Sequence, residues 1–198
     1  MFAVLGLGNP GSRYAGTRHN VGVMVVERLA ARHAVSFKAR RKWWGWGGGR
    51  GGKGSGACTI GEGSISGRDI VLAKPTTFMN LSGEAALELA ENFSLAPERI
   101  IVVCDDCDLP LGKVRIRKGG GSGGHRGLDS IIAQLGTNAF PRIRLGVGKP
   151  DEGATAEHVL GPFAADEEEA LEDMLENAAS AVELFLDKGI DSAMNAFN

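Results

Sequence analysis

Two side chains able to move a proton stand where an open α/β sheet gathers its ligands. His19 follows a polar loop, Asn9–Thr17, which itself follows the apolar run Phe2–Leu7; Asp105 follows the apolar run Ile100–Val103 and Cys104. Each is therefore expected near the carboxyl end of a strand, where such sheets place their crevice. A lone histidine there is more often structural than catalytic. The carboxylate changes that reading, because it fixes the tautomer of an adjacent imidazole and stabilises its protonated form, as a general base requires. Asn9 and Asn80 hold similar positions after strands and add amide donors. One base, one orienting carboxylate and two amides compose a hydrolytic site. No GxSxG string occurs, so a serine nucleophile is not indicated. His33, at a helix end, and His158, in an acidic region, read as surface residues.

Other strings invite chemistry and fail on context. Gly6-Leu7-Gly8-Asn9-Pro10-Gly11 matches GxGxxG after a strand. A dinucleotide fold opens its helix within the glycines, whereas Pro10 and a polar loop delay the helix here, and no acidic residue ends a second strand downstream. Gly47 to Lys53 spells GxxxxGK, but Gly54 stands where a magnesium-binding Ser or Thr is needed. Cys104-Asp105-Asp106-Cys107 has metal-ligand spacing, yet further ligands would have to come from Cys58 or the histidines. Neither a metal nor a cofactor is expected.

The elements that must position these residues follow from periodicity. Val21, Val25 and Leu29 recur at helical spacing, predicting an amphipathic helix over 20–33 capped by Thr17 or Asn20. Ile70–Ala73, Ile100–Val103 and Ile143–Val147 read as buried strands, and Lys113–Lys118 alternates like a strand with one wet face. Helices are expected after Ser82, near Leu128–Leu135 beyond a glycine turn at Gly119–Gly124, and at Asp166–Lys188. Strands alternating with helices predict one α/β domain over 1–198, with a twisted, mostly parallel or mixed sheet and helices on both faces. Residues 38–66 are the least orderly part. They predict a mobile loop or irregular hairpin, whose glycine-rich core at 42–56 is expected on the surface away from His19, with Trp43, Trp44 and Trp46 at its base, at least partly packed on the domain.

Length and charge bound the function. A chain of 198 residues can build one proper core, burying roughly 70% of the surface its unfolded form exposes. No stretch approaches the ~20 apolar residues of a bilayer span, and the first residues lack the layout of a signal peptide. Three cysteines, Cys58, Cys104 and Cys107, are too few for a disulfide scaffold and agree with a reducing, cytoplasmic setting. The net charge of −2 hides a division: residues 1–150 carry 21 Lys and Arg against 11 Asp and Glu, whereas 151–198 carry 1 against 13. A phosphate-bearing partner would dock on the first part. The acidic end reads most simply as a helix with a solvated face.

Taken in order, GLGNPG at 6–11, Tyr14, TRHNVG at 17–22, KPTTFMNLSG at 74–83, DDCDLPLG at 105–112 and GGGSGGHRGL at 119–128 resemble the bacterial peptidyl-tRNA hydrolase family over nearly the whole chain. The resemblance implies that His19 takes a proton from the water that attacks the ester of peptidyl-tRNA, while Asp105 orients the imidazole. It implies that Asn9 and Asn80 bind peptide carbonyls near the ester, Asn9 helping to tell peptidyl-tRNA from aminoacyl-tRNA. Tyr14 and Phe78 match positions that pack on the terminal nucleotide, and Arg117 and Arg144 fall where the family clamps a tRNA phosphate. Arg126 stands where many members have asparagine; arginine cannot accept a hydrogen bond, so it would serve as a cation near ribose or phosphate. The implied protein is a cytoplasmic monomer with tRNA as its partner and no membrane association. Two alternatives are a non-catalytic RNA-binding protein on the same scaffold and an esterase for a small acylated metabolite.

Overall fold

The computed structural model describes residues 1–38, 56–150 and 155–198. The three tryptophans and almost all of the glycine-rich core fall outside these residues, and so do the expectations placed on them. The strands are Phe2–Gly6 (β1), Cys58–Ile65 (β2), Arg68–Pro75 (β3), Ile100–Asp106 (β4), Val114–Arg117 (β5) and Arg142–Gly146 (β6). They form one sheet in the order β2-β3-β1-β4-β6-β5. β1 pairs in parallel with β3 and β4, and β4 with β6, while β2 and β5 run antiparallel at the two edges. Parallel strands covered on both faces read as continuous apolar runs, and β4 (IIVVCDD) is buried throughout.

The helices are Val21–Arg32 (α1), Ser82–Phe93 (α2), Arg126–Leu135 (α3), Thr155–Leu160 (α4), Glu168–Lys188 (α5) and Ile190–Phe197 (α6). Alternate strand residues separate the core into two layers. Val4, Leu72, Ile101, Val103, Ile143 and Leu145 pack with α1, α5 and Ala193 of α6. Ala3, Leu5, Val71, Ala73, Ile100 and Val102 pack with α2 and α3. Helices therefore cover both faces, as the periodicity predicts. Among the described residues no helix is long and apolar enough to cross a membrane.

Several expectations need correction. Cys58–Ile65 is a strand rather than part of an irregular loop, joined to β3 by Ser66-Gly67, both at positive φ (51° and 72°), the conformation of a tight two-residue hairpin turn. Glycine disguises this strand because Val35 lies over it: a Cβ at Gly61 or Gly63 would come within 2.7 or 2.6 Å of that side chain. β4 runs on to Asp106, so both aspartates belong to the strand's last residues. Neither proposed cap bonds the start of α1 through its side chain; Asn20 is committed elsewhere. The acidic face is not simply solvated, since Arg28 pairs with Glu172 and Glu176, and Arg32 and His33 pair with Glu183. These half-exposed pairs add little stability each, but they use part of the basic excess internally.

One close approach sets the position of the His19 turn. The start of α1 lies against the ends of β1 and β4 so tightly that a Cβ on Gly22 would meet the Val103 carbonyl oxygen at 2.3 Å and Leu7 N at 2.6 Å. Both are backbone atoms that cannot rotate away. Alanine usually favours a helix over glycine by about 1 kcal/mol, but the overpacking here costs more. Gly22→Ala should therefore lower stability by about 1–3 kcal/mol, read as a drop in the urea midpoint; a raised midpoint would show that the helix is free to shift.

Candidate active site

The site is assembled from the carboxyl ends of β1, β3 and β4 and the loop before α3. After β1 the chain passes through Leu7-Gly8-Asn9 and a first 3₁₀ turn, Ser12–Tyr14, and reaches a second, Arg18–Asn20, that leads into α1. Asn20 ties the two ends of this excursion together. Its Oδ1 accepts the Asn9 N–H at 2.9 Å and its Nδ2 donates to the Asn9 carbonyl at 3.0 Å. The side chain of Asn9 in turn accepts the Met79 N–H at 2.8 Å, which fixes the turn Met79–Leu81 carrying Asn80. With its oxygen engaged, Asn9 has its NH₂ group left for a substrate acceptor.

Asp105 lies at the centre. It is 4% exposed, and its Oδ1 meets His19 Nδ1 at 2.8 Å and His125 Nε2 at 3.0 Å. A carboxylate oxygen can only accept, so both ring nitrogens carry protons. For His19 this places the proton on Nδ1 and leaves Nε2 with a lone pair, the arrangement of a general base. For His125 a second constraint agrees: Nδ1 accepts the N–H groups of Gly127 (3.1 Å) and Leu128 (3.3 Å) at the start of α3. Burial pushes the Asp105 carboxyl up, but the electrostatic pull of the His125 N–H and the hydrogen bond it donates, then those of His19, outweigh it and hold the group well below the usual carboxylate range.

His19, Asp105 and His125 also bring ligand atoms within 4.8 Å of one another. Metal ligation by His125 would need a lone pair on Nε2 while Nδ1 still accepts two amides, which demands an imidazolate. Hydrogen bonding satisfies the ring without that cost. Cys104 and Cys107 do not form the metal pair their spacing suggests, because Cys104 packs in the α2–α3 layer and Cys107 against the α1–α5 layer. Cys107 lines the cavity, but burial and then the nearby aspartates push its thiol up to about 11, so it is a poor nucleophile at neutral pH.

The cavity has a volume of about 620 Å³. Of the site residues expected from sequence, Asn9, Tyr14, His19, Phe78, Asn80, Asp105, Arg126 and Arg144 line it; Arg117 does not. Tyr14 and Phe78 meet edge to face at 6.4 Å, and Phe78 is 54% exposed, presenting an open aromatic surface. Arg126 is the first residue of α3 and is exposed. Arg144 Nε is held at 2.7 Å by the buried Asp106. Arg117 sits exposed at the end of β5, directly across from Arg142.

Sequence reasoning missed His125, Asp106 and the clamp made by Asn20. His125 had a signal, since a histidine between a glycine run and a helix is placed to serve the helix N-terminus. His158 is no free surface residue: it is half-buried and donates from Nε2 to the Val147 carbonyl at 3.0 Å.

Comparison with known proteins identifies the family. The family model for peptidyl-tRNA hydrolase matches residues 3–198. A peptidyl-tRNA hydrolase of Chloroflexus aurantiacus is 46% identical over 200 residues, covering 100% of this chain and 99% of the relative. That of Caldanaerobacter subterraneus is 43% identical over 198 residues, covering 100% of both chains. The crystal structure of peptidyl-tRNA hydrolase from Acinetobacter baumannii superposes with a TM-score of 0.88 at 35% identity, covering 100% of this chain and 94% of that one. A uridine phosphorylase from Vibrio fischeri, at 11% identity and a TM-score of 0.53, shares the fold alone. Matched along its whole length by these relatives and by the family model, the chain belongs to the peptidyl-tRNA hydrolase family.

Proposed function

We propose that this chain, as one domain over residues 1–198, hydrolyses the ester joining a peptide to the 3′ end of tRNA and releases both. The observation that carries the reading is the 2.8 Å contact between His19 Nδ1 and the buried Asp105, within a cavity that also holds the two asparagine amides. His19 Nε2 takes a proton from water as its oxygen attacks the ester carbonyl. The developing oxyanion is stabilised by amide N–H groups, for which the NH₂ of Asn9 and that of Asn80 are the candidates. Collapse of the intermediate breaks the bond to the ribose oxygen, which takes the proton back from the His19 imidazolium. Asp105 holds the ring in register and stabilises its charged form. The reaction as drawn needs no cofactor or metal.

The same cavity supplies recognition. Tyr14 and Phe78 offer aromatic surface to the unpaired terminal base. Arg126 brings a cation to the nearby ribose and phosphate, and Asn9 responds to the peptide carbonyl. Arg117 and Arg144 contact tRNA phosphates without reading sequence, as an enzyme for all tRNAs requires. Asp106 keeps Arg144 aimed. The protein acts in this reading as a cytoplasmic monomer. Binding of RNA without catalysis is not favoured, because binding requires no oriented base, and a small acyl ester would not call for the basic excess upstream of residue 151.

Release of peptide from N-blocked aminoacyl-tRNA tests the reading. His19→Ala should lower kcat by about 10²–10⁴-fold with little change in tRNA affinity; turnover close to the parent's would remove the proposed base. Arg117→Ala and Arg144→Ala should weaken binding similarly for every tRNA and reduce the salt slope of log K by about one each. Unchanged slopes in both would favour the small-ester alternative.

A further expectation concerns pH. Because the folded Asp105 carboxyl is depressed, it contributes stability that is present above the ordinary carboxylate range and lost as pH falls through the folded value. His125→Phe removes the largest favourable influence on that depression, so the acid-side loss of the urea midpoint should be smaller and should level off at higher pH than in the parent. Superimposable stability profiles would show that His125 does not hold the carboxylate.

A further inference from the structure

The turn that carries His19 is pinned by a buried cation that the mechanism above does not use. Arg18 precedes the base directly and is only 9% exposed. Its Nη1 donates to the Pro162 carbonyl, and its Nη2 donates to Glu167 Oε2 at 2.6 Å. The guanidinium carbon lies 4.9 Å from the centroid of the Phe163 ring. The backbone joins in, with the Arg18 N–H donating to the Gly161 carbonyl at 3.1 Å and Thr17 forming an isolated antiparallel bridge with Pro162. Glu167 also accepts the Ala164 N–H at 2.7 Å, which ties the counter-ion to the same segment.

That segment, 161–167, leaves α4, and α4 forms one wall of the cavity through Val159 and Leu160. α4 packs on the turn Arg18–Asn20. The arrangement carries a cost, since Arg18 Nε is buried without a hydrogen-bond partner among the described residues, and an unsatisfied buried donor is destabilising. An apolar side chain would fill the space with less penalty. What the planar guanidinium adds is direction, because its fork fixes the backbone that bears it. His19 needs that direction: its Nδ1 must stay on Asp105 while Nε2 faces water, and a displacement of about 1 Å can cost about 10²-fold in rate.

We infer that Arg18 is a positioning residue for His19, latched by Glu167 and the Pro162 carbonyl so that the turn bearing the base and the cavity wall built by α4 are held as one unit. The inference rests on the reading of His19 as the base.

The test compares the full-length parent with Arg18→Met, Arg18→Lys, Glu167→Gln and His19→Ala. Peptide release from N-blocked aminoacyl-tRNA gives kcat and KM, urea unfolding gives stability, and ¹⁵N spectra of the imidazoles give the His19 tautomer. Arg18→Met should lower kcat about tenfold or more with KM within about twofold, and should show mixed His19 tautomers in place of the Nδ1–H form. Arg18→Lys should recover little, since an ammonium lacks the fork. Glu167→Gln keeps an acceptor for Ala164 and should fold, with a smaller kcat loss of the same kind; it decides the question should Arg18→Met not fold. A lowered unfolding midpoint with parental kcat per folded molecule and an unchanged tautomer would make the latch merely structural and overturn the inference. A parent no more active than His19→Ala would instead remove the base itself, whereas an active parent, an inactive His19→Ala and a fully active Arg18→Met would leave the base standing and remove only the latch.

Discussion

The site depends on one buried anion serving two rings. Asp105 sits at the end of a strand enclosed on both faces, where an unpaired carboxylate would be expelled or protonated. It remains an anion because two imidazole N–H groups converge on one of its oxygens. Each ring is in turn constrained from its far side. His125 is held by the first amides of α3, and His19 is held through the backbone of its turn. The carboxylate therefore does more than orient a base. It is the point at which the β1–α1 connection, the end of β4 and the glycine loop before α3 must meet.

The packing that makes this meeting possible is backbone on backbone. α1 begins so near β1 and β4 that no side chain fits at Gly22, and Gly6 faces its carbonyl from the strand side. The clamp between Asn9 and Asn20 then closes the loop that departs from β1, and Asn9 passes the constraint to the turn bearing Asn80. Rigid strand ends thus set groups whose chemistry tolerates little misplacement. Asp106, beside Asp105 in sequence, turns to Arg144 instead. Successive strand residues point to opposite sides, so one of the adjacent carboxylates meets the two imidazoles and the other meets Arg144.

Much of this was legible in the sequence, for a physical reason. His19 and Asp105 stand out because parallel strands are short apolar runs whose carboxyl ends can be located to within a residue or two, and α1 to α3 have clear periodicity. The edge strand β2 was hidden because its pattern is interrupted by Gly61 and Gly63, whose small size is explained only by Val35 lying across them. His125 was overlooked because its importance comes from a carboxylate 20 residues away in sequence and from a helix start that only the fold defines. Asn20 reads locally as a helix cap, yet a tertiary partner at Asn9 takes its side chain. The short helices α4 and α6 carry too few turns to announce themselves, and α4 nevertheless walls the cavity.

The central claim is that Asp105 stays ionised inside the protein because both imidazoles donate to it. A site-specific ¹³C measurement of its carboxyl carbon between pH 7 and pH 3 tests this directly. The account predicts a chemical shift that remains that of a carboxylate well below the ordinary aspartate midpoint of about 3.9. A shift that moves to the protonated value with a midpoint at or above about 4 would contradict it, since a carboxyl that protonates so readily is not held by two donors.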